Sequence, residues 1–271
     1  MSRIKTCFDR LKKEGRGALL PYLEAFDPDR ETSLALLRQM PEAGADLIEV
    51  GVPFSDPSAD GPTIQLAARR GLKAGATLKG TLELIRDFRK ENDHTPIILM
   101  GYYNPIDSYG VERFCKDARS AGVDGLIVVD LPPEESEELA PHARAEGLDM
   151  ITLTAPTTPD DRLKTILRKA SGFVYHVSIT GITGTRSATE EQLKVAMTRL
   201  RAATDLPVVA GFGISTPEQA RTASRISDGA VVASAIIKEM AATYDEHGHA
   251  TARSIPTALE KIRSLAKAVR S

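Results

Sequence analysis

Asp46-Leu47-Ile48-Glu49-Val50-Gly51-Val52 is an apolar run with a single carboxylate inside it. Side chains alternate across a strand, so Ile48, Val50 and Val52 share one face while Leu47, Glu49 and Gly51 share the other. The first set is uniformly β-branched and suits a face covered by helices. The run as a whole reads as a buried parallel strand. Glu49 then points away from the helices into the interior, where a carboxylate is costly unless paired or protonated. A loop follows, set by Pro53, Pro57, Gly61 and Pro62 and carrying Asp56 and Asp60. A burial-prone acid on a strand, followed by a rigid acidic loop, suits general acid/base chemistry. The competing possibility is that Glu49 pairs with a core Lys or Arg and the two aspartates only cap turns.

Outward from this run the chain alternates between strands and helices. An amphipathic helix over 4–13 precedes a strand at 18–25, and a helix over 31–42 leads to the Glu49 strand. Helices at 63–73 and 78–90 follow, then a strand at 96–102. Further strands are expected at 125–130, 149–154, 172–178, 207–212 and 229–233. The helices between them cover 111–120, 134–145, 161–169, 190–202 and 217–225, and helices at 236–242 and 256–269 end the chain. Alternating strands and helices indicate a parallel α/β fold. Eight such units in 271 residues favour a closed (β/α)8 TIM barrel over an open sheet. The expectation is one barrel domain over 1–271, with an extra N-terminal helix and extra short helices after strands two and eight. Ala43-Gly44 and Ala121-Gly122 each fit a helix that ends at glycine and turns inward.

Bulk properties exclude several function classes. A net charge of −2 gives no reason to expect a nucleic-acid or anionic-membrane surface. The stretch Met1 to Asp9 lacks the apolar segment of a signal peptide, and no run reaches transmembrane length. Cys7 and Cys115 lack metal spacing and suit a reduced, cytoplasmic protein. The five histidines form no cluster, so no metal is expected.

Barrel chemistry sits at the C-terminal ends of the strands, where Glu49, Tyr102 and Asp130 fall. On the last three strands those ends are rich in glycine: Thr180-Gly-Ile-Thr-Gly-Thr185, Gly211-Phe-Gly213, and Ala233-Ser234 before a short helix. Backbone N–H groups of such loops, with a helix N-terminus, make an anion site without Lys or Arg. Gly184, Gly213, Ala233 and Ser234 are therefore the candidate phosphate-binding residues.

The run Glu49-Val-Gly-Val-Pro-Phe-Ser-Asp-Pro-Ser-Ala-Asp-Gly-Pro-Thr-Ile-Gln65 resembles the signature of the tryptophan synthase α subunit family. The resemblance extends over Met100-Gly-Tyr-Tyr-Asn-Pro105, Val129-Asp-Leu-Pro132, Thr180-Gly-Ile-Thr-Gly184 and Gly211-Phe-Gly213, in order along essentially the whole chain. It implies a lyase that cleaves indole-3-glycerol phosphate to indole and glyceraldehyde 3-phosphate, with no cofactor in this chain. By that resemblance Glu49 matches the general acid/base. Asp60 matches the carboxylate that takes the indole N–H. Tyr175 falls near the glycerol hydroxyls, or else is a core aromatic. Tyr22, Met100, Tyr102, Ile127, Val129 and Phe212 are expected around the indole. Asp56, Pro57 and Thr183 belong to loops that close the site and face a partner, the pyridoxal-phosphate β subunit, in an α2β2 assembly. The alternatives are a catalytically weak subunit that mainly binds and activates β, and a stand-alone lyase.

Three departures from the family pattern stand out. Glu24-Ala25-Phe26 replaces the usual Thr-Ala-Gly. Ala233 stands where a glycine is normal, and Ser58 where a larger apolar residue is. Phe26 falls where φ is expected to be positive. If Tyr22 faces the pocket, Glu24 does too, and it is expected to lie close to Glu49 and perturb it.

Overall fold

The computed structural model describes residues 2–178, 189–211 and 213–271. Its strands are β1 (Ala18–Glu24), β2 (Ile48–Gly51), β3 (Ile97–Gly101), β4 (Gly125–Val128), β5 (Asp149–Met150), β6 (Thr152–Thr154), β7 (Val174–Val177), β8 (Val208–Gly211) and β9 (Gly229–Val232). All neighbours pair in parallel, in the order β5-β4-β3-β2-β1-β9-β8-β7-β6. β5 and β6 are two halves of one extended run interrupted at Ile151, the first half paired with β4 and the second with β7. Counting that run once gives the expected eight strands of the barrel.

The alternation anticipated for the Glu49 strand holds. Ile48, Val50 and Val52 belong to the large core between sheet and helices. Leu47 belongs to a separate core inside the barrel, with Leu20, Ile98, Ile127, Phe173, Tyr175, Val209 and Val231. The extra N-terminal helix α1 (Arg3–Glu14) contributes Ile4, Cys7, Phe8 and Leu11 to that interior core. Phe8 and Phe173 meet at a ring separation of 5.8 Å. An amphipathic helix at this place closes the N-terminal end of the barrel and leaves the other end for chemistry.

α2 (Arg30–Ala43) starts at Asp29, whose side chain accepts from the Thr32 N–H. It ends at Gly44, in the left-handed region with φ 112°. After β2 come α3 (Pro62–Lys73) and α4 (Leu78–Arg89); at twelve residues each, the extra helix here is as long as the regular one. α5 (Tyr103–Tyr109) occupies a stretch to which the sequence assigned no element. α6 (Val111–Ala121) follows and ends at left-handed Gly122, as anticipated. The helix expected over 134–145 divides into a 3₁₀ turn, Pro133–Glu138, and α7 (Ala140–Ala145). Pro141 lacks the N–H that a continuous helix would need. The rest are α8 (Asp160–Lys169), α9 (Glu190–Arg201), α10 (Pro217–Ile226), α11 (Ser234–Ala241) and α12 (Ser254–Val269). α11 is the expected short helix after the last strand.

Candidate active site

Glu49 is the first candidate side chain the barrel positions. It lies on β2 opposite Tyr22 of β1 and Ile98 of β3, and is 1% exposed. Its Oε1 is one of two buried side-chain polar atoms without a hydrogen-bond partner among the described residues. Burial pushes its pKa up to about 8. A buried acceptor with no partner is rare in native folds and calls for an explanation, a catalytic role being one. Among the described residues no Lys or Arg pairs with Glu49.

Two tyrosines flank this carboxyl, and two glycines make room for them. A Cβ on Gly51 would lie 1.8 Å from the Tyr22 hydroxyl oxygen, and one on Gly211 would lie 2.1 Å from that of Tyr175. Both phenols are buried and pushed well above the ordinary range, first by burial, and both feel the charge of Glu49. Tyr175 is therefore an interior aromatic and a neighbour of Glu49 at once.

Asp60 enters from the loop after β2. Tyr102, 5% exposed, donates its hydroxyl to Asp60 Oδ2 at 2.8 Å and accepts the Ala59 N–H at 3.0 Å. Its ring packs on Phe54 at 5.2 Å. One phenol thus ties the acidic loop to β3. Burial raises the Asp60 pKa, and the Tyr102 bond opposes that rise. A narrow cleft at this mouth is lined by Tyr22, Glu24, Asp60, Met100, Tyr102 and Val129, with Val52, Phe54 and Pro57. Its apolar walls and few convergent polar groups are those of a small-molecule site.

A family model described as tryptophan synthase alpha chain matches residues 8–268. The chain belongs to the tryptophan synthase alpha chain family. It is 66% identical over 271 residues to the tryptophan synthase alpha chain of Gluconobacter oxydans (strain 621H), covering 100% of both chains. It is 61% identical to that of Gluconacetobacter diazotrophicus, covering 100% of this chain and 99% of the relative. Among solved structures, tryptophan synthase subunit alpha from Legionella pneumophila superposes with a TM-score of 0.91 at 37% identity, over 99% of this chain and 98% of that one. As a family member the chain is a carbon–carbon lyase of tryptophan biosynthesis that cleaves indole-3-glycerol phosphate to indole and glyceraldehyde 3-phosphate, and it pairs with a β subunit.

The alpha chain fold gathers most of the residues singled out from sequence. Ile127 is fully buried in the interior core and does not line the cleft. Gly213, with φ 77°, follows β8; Ala233 and Ser234 follow β9 and open α11, so the three meet at adjacent strand ends. Asp56 is exposed and Pro57 half-buried. Thr183, Gly184 and Phe212 lie outside the described residues. Among the described residues no group of three or more His, Cys, Asp or Glu is placed to hold a metal ion. Nor, among those residues, is any helix long and apolar enough to cross a membrane.

Glu24 does face inward, as the alternation required, and is 3% exposed. Its expected coupling to Glu49 is not what dominates. Its Oε2 accepts from the Tyr22 hydroxyl, and the charge that acts on it most is Asp60. Sequence reasoning missed two features. One is the Tyr102–Asp60 bond, since Tyr102 was counted only as an indole wall. The other is the brace behind the cleft, where Arg70 engages both oxygens of Asp27 at 2.6 and 2.9 Å and stacks on Tyr244.

Proposed function

We propose that Glu49 is the acid and base of the cleavage and that Asp60 holds the indole nitrogen. Protonated Glu49 gives its proton to C3 of the indole, which leaves the ring positive at nitrogen. Asp60 accepts the N–H and stabilises that charge. The Glu49 carboxylate then takes the proton from the glycerol hydroxyl beside the scissile bond. The C–C bond breaks, its electron pair returns to the ring, and indole, glyceraldehyde 3-phosphate and protonated Glu49 result. The observation that carries this reading is the unpartnered, buried Oε1 of Glu49, with a pKa raised to about 8. A group that must both give and take a proton works best with a pKa near the operating pH.

Tyr175 orients the glycerol hydroxyls, and Tyr22, Met100, Tyr102, Val129 and Phe212 surround the indole, while Ile127, first expected among them, stays in the interior core. The phosphate rests on the N–H groups of Gly213, Ala233 and Ser234, with Gly184. Asp56, Pro57 and Thr183 face the β subunit in an α2β2 assembly of the cytoplasm. The chain forms one domain and carries no cofactor of its own. The test is turnover of indole-3-glycerol phosphate by Glu49→Gln and Asp60→Asn, each alone and with β. Glu49→Gln should lose indole release by on the order of 10²–10⁴-fold or more. Appreciable turnover in that variant removes Glu49 from the mechanism.

A further inference from the structure

We propose that Glu24 is a second carboxyl at the nitrogen edge of the indole, acting with Asp60 on the charge that develops there. This rests on the assignment of Asp60 given above. Glu24 shares the cleft with Asp60, Met100 and Tyr102. Its position is fixed by backbone: a Cβ on Gly51 would lie 2.7 Å from Glu24 Oε2, so the carboxyl lies over β2, just before the loop that delivers Asp60. Among the described residues no Lys or Arg forms an ion pair with it. Arg70, the nearby guanidinium, is engaged by both oxygens of Asp27, and Glu24 is bonded instead to the phenol of Tyr22.

The charged and titratable groups around Glu24 come from each neighbouring element. They are Tyr22 on β1, Asp27 after it, Glu49 on β2, Asp60 in the following loop, Arg70 on α3 and Tyr102 after β3. Burial first, and then Asp60 and Asp27, push the Glu24 pKa up to about 8, against the downward pull of the Tyr22 bond and Arg70. At neutral pH it therefore keeps its proton and adds no repulsion to Asp60. A positive indole ring reverses the balance, because a cation beside a buried carboxyl favours the ionised form. The Glu24 O–H bond breaks as the ring charge develops, its proton passes to water at the mouth, and the carboxylate left behind contributes charge.

The test is a pair of variants measured against pH. Asp60→Asn should lose much of its turnover and leave a residual rate that depends on Glu24. Adding Glu24→Gln should change that residual rate little at pH 6 and lower it by about tenfold at pH 9, a one-unit coupling being tenfold. Both proteins keep Glu49, so its titration cancels in the ratio. A structural role for Glu24 would lower the rate equally at all pH values, and a flat ratio overturns the inference. Full turnover by Asp60→Asn alone would instead refute the Asp60 assignment, so the two failures are distinguishable. Tyr22→Phe is a second probe that keeps the carboxyl. Freed from its phenol, Glu24 should move the pH at which the ratio rises upward; an unmoved midpoint also overturns the inference.

Discussion

Replacing Glu49 with Gln should make the protein more stable, and more so as the pH is raised. The folded state holds the Glu49 proton up to about pH 8, whereas its ordinary value is 4.5. Between those values the unfolded state binds fewer protons than the native state, so stability falls as pH rises across the window. At pH 7 roughly 2.5 units of that gap have been crossed, at about 1.4 kcal/mol each, or about 3 kcal/mol. No discount for solvent is needed, because the side chain is 1% exposed. Gln introduces an amide whose N–H groups lack acceptors in the same place, which costs on the order of 1 kcal/mol. The expected gain is about 2 kcal/mol at pH 7, a rise in Tm of about 4–8 °C for a chain of this size.

Urea unfolding of the wild type and Glu49→Gln at pH 5 and pH 8 measures this directly. The difference between the two proteins should widen by about 3 kcal/mol from the lower to the higher pH. Glu24, also raised to about 8, contributes the same slope to both proteins and drops out. A difference independent of pH would mean that the fold does not hold Glu49 protonated. The acid half of the proposed mechanism would then have no source for its proton.

Tyr102→Phe keeps the ring on Phe54 but removes the donor to Asp60 and the acceptor for the Ala59 N–H. The lost bond favoured the ionised carboxylate, so the Asp60 pKa should rise and the acidic limb of the pH–rate profile should move upward; an unmoved limb would separate Tyr102 from catalysis. Phe26→Gly sets two effects against each other. Phe26 has φ 63°, which costs an L residue about 1–2 kcal/mol. Its ring is 6% exposed, and deleting a buried Phe costs about 3–5 kcal/mol. Packing wins, and chemical denaturation should show a net loss of about 2 kcal/mol; a stabilised variant would mean that the ring contributes little to the core.

The barrel was legible because its strands are short, apolar and regularly spaced, and because Gly44 and Gly122 end helices where Ala-Gly precedes a strand. Where an element is very short, the sequence assigned nothing. α5 spans 7 residues, too few to show a helical period, and Pro105 in its first turn is a position helices tolerate. Glu49 was legible as a misfit within an apolar alternation. The Tyr102–Asp60 bond was not, because it joins residues 42 apart through a hydroxyl, and strand periodicity fixes only which face a side chain leaves from. The partners of Glu24 escaped for the same reason. Alternation placed it inward, but whether Glu49 or Asp60 would govern it depended on how the loop after β2 folds back over the mouth.

The glycines at 51 and 211 complete the account of how this site is built. In a strand, glycine sacrifices packing and often marks a close approach by another group. Here each inward-facing glycine receives a phenol from a neighbouring strand, Tyr22 over Gly51 and Tyr175 over Gly211. The two phenols are buried in the interior, and both feel the charge of Glu49. Their hydroxyls stay protonated, so they bring hydrogen-bonding capacity without competing charge. The same burial that raises the Glu49 pKa to about 8 suits it to the proposed acid role near neutral pH and costs stability as the pH rises from about 4.5 to about 8. On the proposed mechanism, function and fold are opposed at this one side chain, and the glycine–tyrosine pairs pack the interior beside it.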